Sequence, residues 1–497
     1  MSNIRVTYTG FISLIVKFSS IFTGLIFTLI ITRNLSTEEF GSWALIGSLL
    51  IYANVINPII SYWTTREVAR GENSAKTAIF SSSILMLVAS FVYLLISSLV
   101  GIESNLNLDL LWFSVILIPF MFINQILESI NLGWKPHGVS VGFLIFEITK
   151  IPFAFLFIFI FNMGVYGAIL STIGGYFFSI IFLYIFAKPK IYGNMDLMKF
   201  KKWLRLSWLP IYRKAPSMIF FTDTIIFSII TGSLVGVALF TAAKTIGIVV
   251  SNTRSFSNAV YPKLLSGGKE KYFHENFIRV FYLSFPIVAI TITFAKPALF
   301  ILNPEFIQAY FLVIILSIRS FLINISNVIF SGLLGIENVD KDEKATFRNY
   351  INSKIFKLPT FQIFRDIGYL ISLIIIFHLT KDKFTEIDLI GIWALIGLIA
   401  EFPIIIYALK LMRDNFNERV EHFTIIKYFF SSIIPFGILY YFIIQDLEFN
   451  KNIFEFIPQI IGIIILGIII YVGITSVIDR RTRILVKYIF TKIRGQS

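Results

Sequence analysis

Long apolar segments, separated by short polar ones, follow one another along the whole chain. Fourteen of them are near the ~20 residues that an α-helix needs to cross the hydrocarbon core of a bilayer. The pattern therefore predicts an all-α integral membrane protein with about 14 transmembrane helices. The predicted spans are Phe11–Thr32, Phe40–Trp63, Ala78–Val100, Leu110–Asn131, Val141–Phe161, Val165–Ala187, Ser207–Ile230, Leu234–Val260, Phe277–Leu302, Ala309–Leu334, Phe361–Leu379, Ile387–Leu409, Ile425–Ile444 and Ile453–Ile478.

The lysines and arginines between the spans are distributed unevenly over the two sides of the membrane. Thirty of the 43 share one side when the N-terminus is placed in the cytoplasm. The other side holds only Arg33, Lys381, Lys383 and Lys451. Because cytoplasmic loops are the ones rich in lysine and arginine, both termini are predicted in the cytoplasm of a multi-pass plasma-membrane protein.

The composition agrees with a membrane protein and narrows its chemistry. Of 497 residues, 56% are hydrophobic and 14% are charged, which is too apolar for a soluble chain. The basic loops account for the net charge of +14, so nucleic acid is not a predicted partner. With no cysteine and four scattered histidines, neither thiol chemistry nor a metal site or cofactor is predicted. A Walker-type phosphate loop is absent from the sequence, so ATP hydrolysis is excluded and the chain is predicted not to be an enzyme.

Charged residues inside the spans are concentrated in the predicted seventh and eighth helices, from Leu209 to Pro262. These residues are Arg213, Lys214, Asp223, Lys244 and Arg254. An ionisable side chain near the bilayer centre costs at least ~2.5–3.5 kcal/mol, so it normally faces protein or a water-filled cavity. Helical spacing places the polar residues of each of the two helices on one stripe. Because four of the five charges are positive, the stretch predicts a basic cleft that holds an anion.

Polar residues of other spans extend the predicted cleft. The predicted substrate-binding residues are Lys17, Asn54, Asn57, Arg213, Lys214, Lys244, Arg254 and Arg319. Two alternatives stay open at this point. Lys17 and Arg254 could extend to the lipid headgroups instead. The amides of Asn54 and Asn57 could form interhelical hydrogen bonds as readily as they could contact a sugar.

Two acids within the spans, Asp223 and Glu401, need a partner for their charge. The partner would be a lysine or arginine, Na⁺ or a proton, so both are candidate ion-coupling residues. A structural ion pair is the alternative for each. Arg365 and Asp366 are expected to pair with other groups at the inner end of the eleventh helix. Without ATP, transport would use a Na⁺ or H⁺ gradient, the membrane potential or the substrate gradient.

A short internal match suggests that the chain contains two similar halves. The segment FGSWALIGSL from Phe40 aligns with VGVALFTAAK from Val235, which places Gly41 on Gly236. Internal repeats are expected in transporters that rock two helical bundles around a central site. The predicted organisation is two six-helix lobes around a central cationic cleft, residues 1–200 and 201–410. A C-terminal helical hairpin with a basic amphipathic tail follows over 411–497.

Two stretches resemble a known family. The first has an acid at Asp223, an aromatic-small-basic sequence from Phe240 to Lys244 and a closing Tyr261-Pro262 pair. The second has the turn Glu39-Phe40-Gly41 and a basic end from Arg66 to Arg70. Together they resemble the polysaccharide and lipid-linked oligosaccharide flippases, which share a superfamily with the lipid II flippases and the multidrug and toxin extrusion exporters. The resemblance covers the first half of the chain better than the second.

The resemblance implies a flippase that moves a polyprenyl-(di)phosphate-linked oligosaccharide from the inner to the outer leaflet by alternating access. It implies that surface polysaccharide or glycoprotein assembly uses the product. The implied partners are the anionic lipid-linked oligosaccharide, membrane lipids, and a glycan polymerase or oligosaccharyltransferase. One alternative is an ion-coupled drug exporter of the same superfamily, in which an acid-rich cleft would be expected. The other is a membrane glycosyltransferase or ligase, which the short outer loops disfavour.

Overall fold

The fold is known from a computed structural model of the chain, and all regular structure among its described residues is helical. The structure describes residues 23–104, 106–257, 270–337, 347–416, 421–450 and 452–484, and the single positions Val16, Ser19, Leu264 and Val339. The helices are α1 (23–34), α2 (Thr37–Ile56), α3 (Pro58–Ala69), α4 (Ala75–Glu103), α5 (Leu108–Trp134), α6 (Pro136–Ile160), α7 (Gly164–Lys190), α8 (Leu197–Arg205), α9 (Pro210–Thr231), α10 (Leu234–Thr253), α11 (Glu270–Thr293), α12 (Ala295–Leu302), α13 (Pro304–Gly335), α14 (Phe347–Asn352), α15 (Lys354–Thr380), α16 (Glu386–Asn415), α17 (His422–Ile444) and α18 (Ile453–Ile478).

Thirteen helices of the described part are long and apolar enough to cross a membrane. They correspond to the second to the fourteenth predicted spans, so the predicted all-α integral membrane class is confirmed. Most of the first predicted span, Phe11–Thr32, lies outside the described residues, and its described part from residue 23 is helical. Many apolar side chains, such as those of Leu87, Phe91 and Leu99 on α4, are exposed at the surface, as lipid contact requires.

In two of the predicted spans, a proline explains a division of the helix. The span predicted over Phe40–Trp63 ends as α2 in a 3₁₀ turn at Asn54–Ile56, and α3 begins at Pro58. The span predicted over Phe277–Leu302 is divided at Phe294, three residues before Pro297. Proline cannot donate to the carbonyl four residues earlier, and its ring crowds that carbonyl. The first break leaves two amide side chains, those of Asn54 and Asn57, at the division.

The chain forms two compact units. Unit 1 consists of Met1–Leu239 and Leu373–Glu386, and unit 2 consists of Phe240–Ser372 and Ile387–Ser497. The apolar core of unit 1 includes Ile60 of α3, Leu127 of α5 and the fully buried Trp203 of α8. That of unit 2 is rich in phenylalanine. The three-part division at residues 200 and 410 stays a prediction.

The turn Glu39-Phe40-Gly41 has a structural role in unit 1. Ser36 and Glu39 form a capping box at the start of α2, since the Ser36 hydroxyl accepts from the Glu39 backbone N–H at 3.2 Å and the Glu39 carboxylate accepts from the Ser36 N–H at 2.8 Å. Phe40 is buried. A side chain at Gly41 would collide with the backbone carbonyl of Leu234. The turn therefore sets where α2 begins and how closely it approaches α10.

Gly41→Ala should lower stability, because the added methyl meets backbone rather than a side chain that could turn aside. Overpacking of this kind typically costs ~1–3 kcal/mol. Gly47→Ala is the matched control, since it lies on the same helix with nothing within 4 Å of an added Cβ. Removing a helical glycine in open space should stabilise by ~0.5–1 kcal/mol. Thermal unfolding of the purified variants in detergent measures both, and equal midpoints would contradict the close approach.

Candidate functional site

The proline break between α2 and α3 places unpaired amide groups in the interior of unit 1. Asn57 is 1% exposed, and within the described part of the chain neither its amide oxygen nor its amide nitrogen has a hydrogen-bond partner. The amide oxygen of Asn54 is in the same situation. Buried polar groups are normally satisfied, and an unsatisfied one costs ~1–3 kcal/mol. Among the described residues, the Asn57 amide and the Asn54 amide oxygen thus form none of the interhelical hydrogen bonds that were the alternative role of these two residues.

A cavity of about 500 Å³ in unit 1 continues the polar stripe that begins at this break. Its walls come from α3, α5, the first turn of α6 and the start of α9. The lining residues are Pro58, Ser61, Tyr62, Thr65, Arg66, Gln125, Glu128, Ser129, Leu132, Val139, Pro210 and Lys214. Residues three and four apart share a helix face, which is why Ser61 and Thr65 on α3, and Gln125 and Ser129 on α5, line it together. We call this space the unit 1 cavity.

The unit 1 cavity contains two cations and one acid. The Arg66 guanidinium donates to the Tyr62 hydroxyl at 2.6 Å and lies 5.4 Å from the centre of the Tyr62 ring, so its position is fixed. Lys214 is exposed. The Glu128 carboxylate accepts a hydrogen bond from the Asn124 amide at 2.7 Å, and the Asn124 oxygen in turn accepts from Ser179 at 2.8 Å. With all three groups ionised, the lining carries one net positive charge.

Asp223 lies elsewhere in unit 1, on α9, and is fully buried. Its carboxylate accepts from the Thr224 backbone N–H at 2.8 Å and from the Thr224 hydroxyl at 3.3 Å. The preceding residue, Thr222, shares a hydrogen bond with the hydroxyl of Tyr52 on α2. These contacts hold the carboxylate beside a second break, because α9 is interrupted at Phe221.

Unit 2 holds a buried cluster of four charged groups. Glu401 receives the Arg319 guanidinium at 3.4 Å and also pairs with Arg365, which lies 2.7 Å from Asp366. Arg319 is 4% exposed and stacks on the Tyr369 ring at 4.9 Å. Two cations and two acids make the cluster neutral when all are ionised, so the charge of Arg319 is compensated within unit 2. The sequence had suggested a cation presented to a cleft.

Lys244, also in unit 2, has a different environment. It is half-buried, and its ammonium lies 5.9 Å from the centre of the Phe240 ring one helical turn earlier. Phe240 in turn stacks face to face on Trp393 of α16, with 3.5 Å between the ring centroids. The stack supports the turn of α10 that carries Lys244.

The structure places some predicted site residues and leaves others outside its description. Lys17 lies outside the described residues, as do the side chains of Arg213 and Arg254. Lys214 lines the unit 1 cavity. Asn57 directly precedes Pro58, which is also a lining residue. Sequence reasoning missed Arg66, Gln125 and Glu128 as cavity residues. The polar spacing of Asn54, Asn57 and Ser61, continued by one helical turn to Thr65, is the signal that could have found this face.

Asn57→Leu should leave the thermal midpoint unchanged or raise it, because an amide without partners is replaced by an apolar group of similar size. Asn131→Leu is the comparison. The Asn131 amide is fully buried and donates to the carbonyls of Leu127 and Leu183, each at 2.9 Å, so its loss should cost ~1–3 kcal/mol. Thermal unfolding measures both variants. A loss for Asn57→Leu as large as that for Asn131→Leu would show that packing already uses the Asn57 amide.

Comparison with solved structures defines the class of fold. No protein-family model and no curated protein matches the chain. The helical membrane fold of the chain is similar to that of an inward-facing multidrug resistance MATE family transporter of the MOP superfamily, which matches 80% of this chain and 95% of its own, with a TM-score of 0.60 and 15% identity. The lipid II flippase MurJ, in its inward closed conformation, matches 94% of this chain and 99% of its own, with a TM-score of 0.69 and 18% identity. At these identities the similarity shows the fold alone.

Proposed function

We propose that the chain is a flippase that moves a polyprenyl-(di)phosphate-linked oligosaccharide from the inner to the outer leaflet of the plasma membrane. The observation that carries the proposal is the unit 1 cavity, where Arg66 and Lys214 lie among hydroxyl and amide groups. The phosphates of such a lipid bear fixed negative charge that the two cations compensate. The fold shared with a lipid II flippase over nearly its whole length supports a transport role of this kind.

The remaining lining groups suit a glycan head. Ser61, Thr65, Gln125 and Ser129 supply hydroxyl and amide groups that hydrogen-bond to sugar hydroxyls. Tyr62 offers an aromatic face. Because the guanidinium of Arg66 is planar, it can bind a phosphate through two hydrogen bonds at once. A single cavity thus combines the two kinds of contact that the proposed substrate requires.

An ion-coupled drug exporter is the second candidate function, and the similarity to a multidrug resistance transporter favours it. An exporter of cationic drugs needs acids in its binding cavity. The unit 1 cavity has one, Glu128, whose carboxylate is already engaged by Asn124. The balance of charge therefore supports the anionic substrate.

Coupling to an ion gradient is part of the proposal. Glu401 and Asp223 are the proposed coupling groups, with H⁺ or Na⁺ as the ion. Glu401 is paired with two arginines, so a proton on its carboxylate would release both cations from their shared partner. The Asp223 carboxylate accepts hydrogen bonds from the backbone and the hydroxyl of the neighbouring Thr224. On the outer side, a glycan polymerase or oligosaccharyltransferase would consume the product.

The double variant Arg66→Gln, Lys214→Gln should slow flipping of a fluorescent polyprenyl-diphosphate oligosaccharide in proteoliposomes by about 10- to 100-fold. One charge-assisted contact is worth ~1.5–3 kcal/mol, so the loss of either cation gives a change of this size and the range is the least that the double variant should show. Arg70→Gln is the matched control, because Arg70 is an exposed cation one turn beyond Arg66 that does not line the cavity. Equal rates for the double variant and the control would remove the cavity from substrate binding.

A further inference from the structure

A second polar cavity lies in unit 2, where the start of α11, the start of α17 and the end of α18 meet. Its volume is about 530 Å³. The lining residues are Glu275, Ile278, Arg279, Tyr282, Tyr428, Arg481, Thr482 and Ile484. The distribution of lysine and arginine predicts that all three helix ends lie on the cytoplasmic side. None of these residues belongs to the site proposed for the transported substrate.

Aromatic and hydrogen-bonded contacts hold the three walls together. The Tyr471 hydroxyl of α18 donates to the Tyr282 carbonyl of α11 at 2.7 Å, and the Tyr282 ring lies 5.1 Å from that of Tyr428 on α17. Tyr428 donates to the Asp479 carboxylate at 2.8 Å, and Asp479 also accepts from the Thr482 backbone N–H at 3.0 Å. These contacts fix the turn after α18, and this turn carries Arg481 on the cavity wall.

The cations of this cavity differ in how they are paired. Both terminal nitrogens of Arg481 donate to the Glu421 carboxylate, and the bond from Nη1 is 3.0 Å long. The two side chains are each about half exposed. Arg279 is exposed and forms no ion pair within the described part of the chain. The neighbouring Arg483 donates to the carbonyls of Ser476 and Val477 at the end of α18, so it caps the helix. Arg279 therefore has unused capacity for an anion, while Arg481 can share its two nitrogens between Glu421 and a ligand.

Apolar side chains are exposed at the ends of the helices that form the cavity, and one of them is on its wall. Phe423 and Ile426 in the first turns of α17, Val477 in the last turn of α18, and Ile484 on the cavity wall are all exposed. A soluble anion would use only the arginines, whereas a lipid would also cover this apolar surface. The juxtaposition of cations and exposed apolar groups at one end of the helices matches a molecule with an anionic head and hydrocarbon chains.

We propose that this cavity binds the phosphodiester headgroup of an anionic glycerophospholipid of the inner leaflet. Arg279 and Arg481 contact the phosphate, and the acyl chains leave the cavity along Ile484, which is exposed on its wall. The lipid bridges α11, α17 and α18, so its binding stabilises the C-terminal pair of helices against α11. The proposal does not depend on which substrate is transported.

The test measures the thermal midpoint of the purified full chain in detergent with added short-chain phosphatidylglycerol, phosphatidylcholine, glycerol 1-phosphate or inorganic phosphate. We expect phosphatidylglycerol to raise the midpoint and the other three to leave it nearly unchanged. Arg279→Gln should weaken the apparent affinity for phosphatidylglycerol about tenfold, the loss of one charge-assisted contact. Lys271→Gln is the matched control, because Lys271 is an exposed cation on the same helix that does not line the cavity.

Three outcomes would overturn the proposal. An equal response to phosphatidylcholine would show that the hydrocarbon chains alone bind. A full response to glycerol 1-phosphate or inorganic phosphate would identify the ligand as a soluble anion. An equal loss of affinity in Arg279→Gln and Lys271→Gln would show a diffuse surface charge effect instead of a cavity site. Native mass spectrometry of the same variants counts retained phosphatidylglycerol and provides a readout that does not depend on unfolding.

Discussion

Lys244→Glu should abolish flipping of an anionic lipid-linked oligosaccharide, Lys244→Ala should reduce it strongly, and Lys244→Arg should retain part of it. If the ammonium compensates a phosphate during crossing, glutamate places like charges together in a medium of reduced dielectric. Arginine keeps the charge but replaces a compact ammonium with a planar guanidinium. The Phe240–Trp393 stack supports this turn of α10 without Lys244, so all three variants should remain folded.

The order of the three activities is the informative result. An exporter of cationic drugs would tolerate glutamate at position 244 or prefer it. Lys410→Glu is the charge-matched control, since Lys410 is an exposed lysine of α16. The rates are measured in proteoliposomes at equal protein content. Normal flipping by Lys244→Glu would remove this residue from the mechanism.

Glu401→Gln should lower the free energy of unfolding by ~3–5 kcal/mol, because it leaves a buried arginine without its acid. Arg319 and Arg365 both pair with this carboxylate, and only Asp366 would remain to compensate two cations. The shift of the thermal midpoint measures the effect. Asp414→Asn is the control, because it removes one exposed acid from the same helix and should change stability little.

A second variant separates charge balance from packing. Arg319→Met combined with Glu401→Gln removes one charge of each sign, so it should recover much of the stability that Glu401→Gln loses. A Cβ at position 397 would meet the Arg319 guanidinium, so Gly397 leaves room for that side chain. Methionine is shorter than arginine and adapts its shape readily, so we expect it to occupy the same space. A double variant no more stable than Glu401→Gln would show that the cluster is not held by charge compensation.

The helices could be predicted from the sequence because bilayer thickness fixes their length and loop charge fixes their alternation. The breaks within the helices were harder to predict from the sequence. Pro58 begins a new helix, and a hydropathy window averages over the break at Asn57. Arg66 lies three residues beyond the predicted span Phe40–Trp63 and was not among the predicted site residues, yet it lines the unit 1 cavity.

Ion pairs between residues that are distant in sequence could not be predicted either. Arg319 and Glu401 are far apart in sequence, and no local spacing indicates that their helices bring them together. Each was therefore assigned a role by its own charge, one as a substrate ligand and the other as a coupling group. The turn Glu39-Phe40-Gly41, by contrast, was noticed as a family resemblance. Its capping box and the contact of Gly41 with Leu234 give it a physical reason.

The most direct test compares two substrates on the same purified protein in proteoliposomes. One is a fluorescent polyprenyl-diphosphate oligosaccharide, whose leaflet is read by quenching from outside, and the other is a fluorescent cationic drug. The proposed function predicts that the chain moves the anionic lipid between leaflets and leaves the cationic drug at the rate of protein-free vesicles. Efflux of the cationic drug with no movement of the lipid-linked oligosaccharide would contradict it.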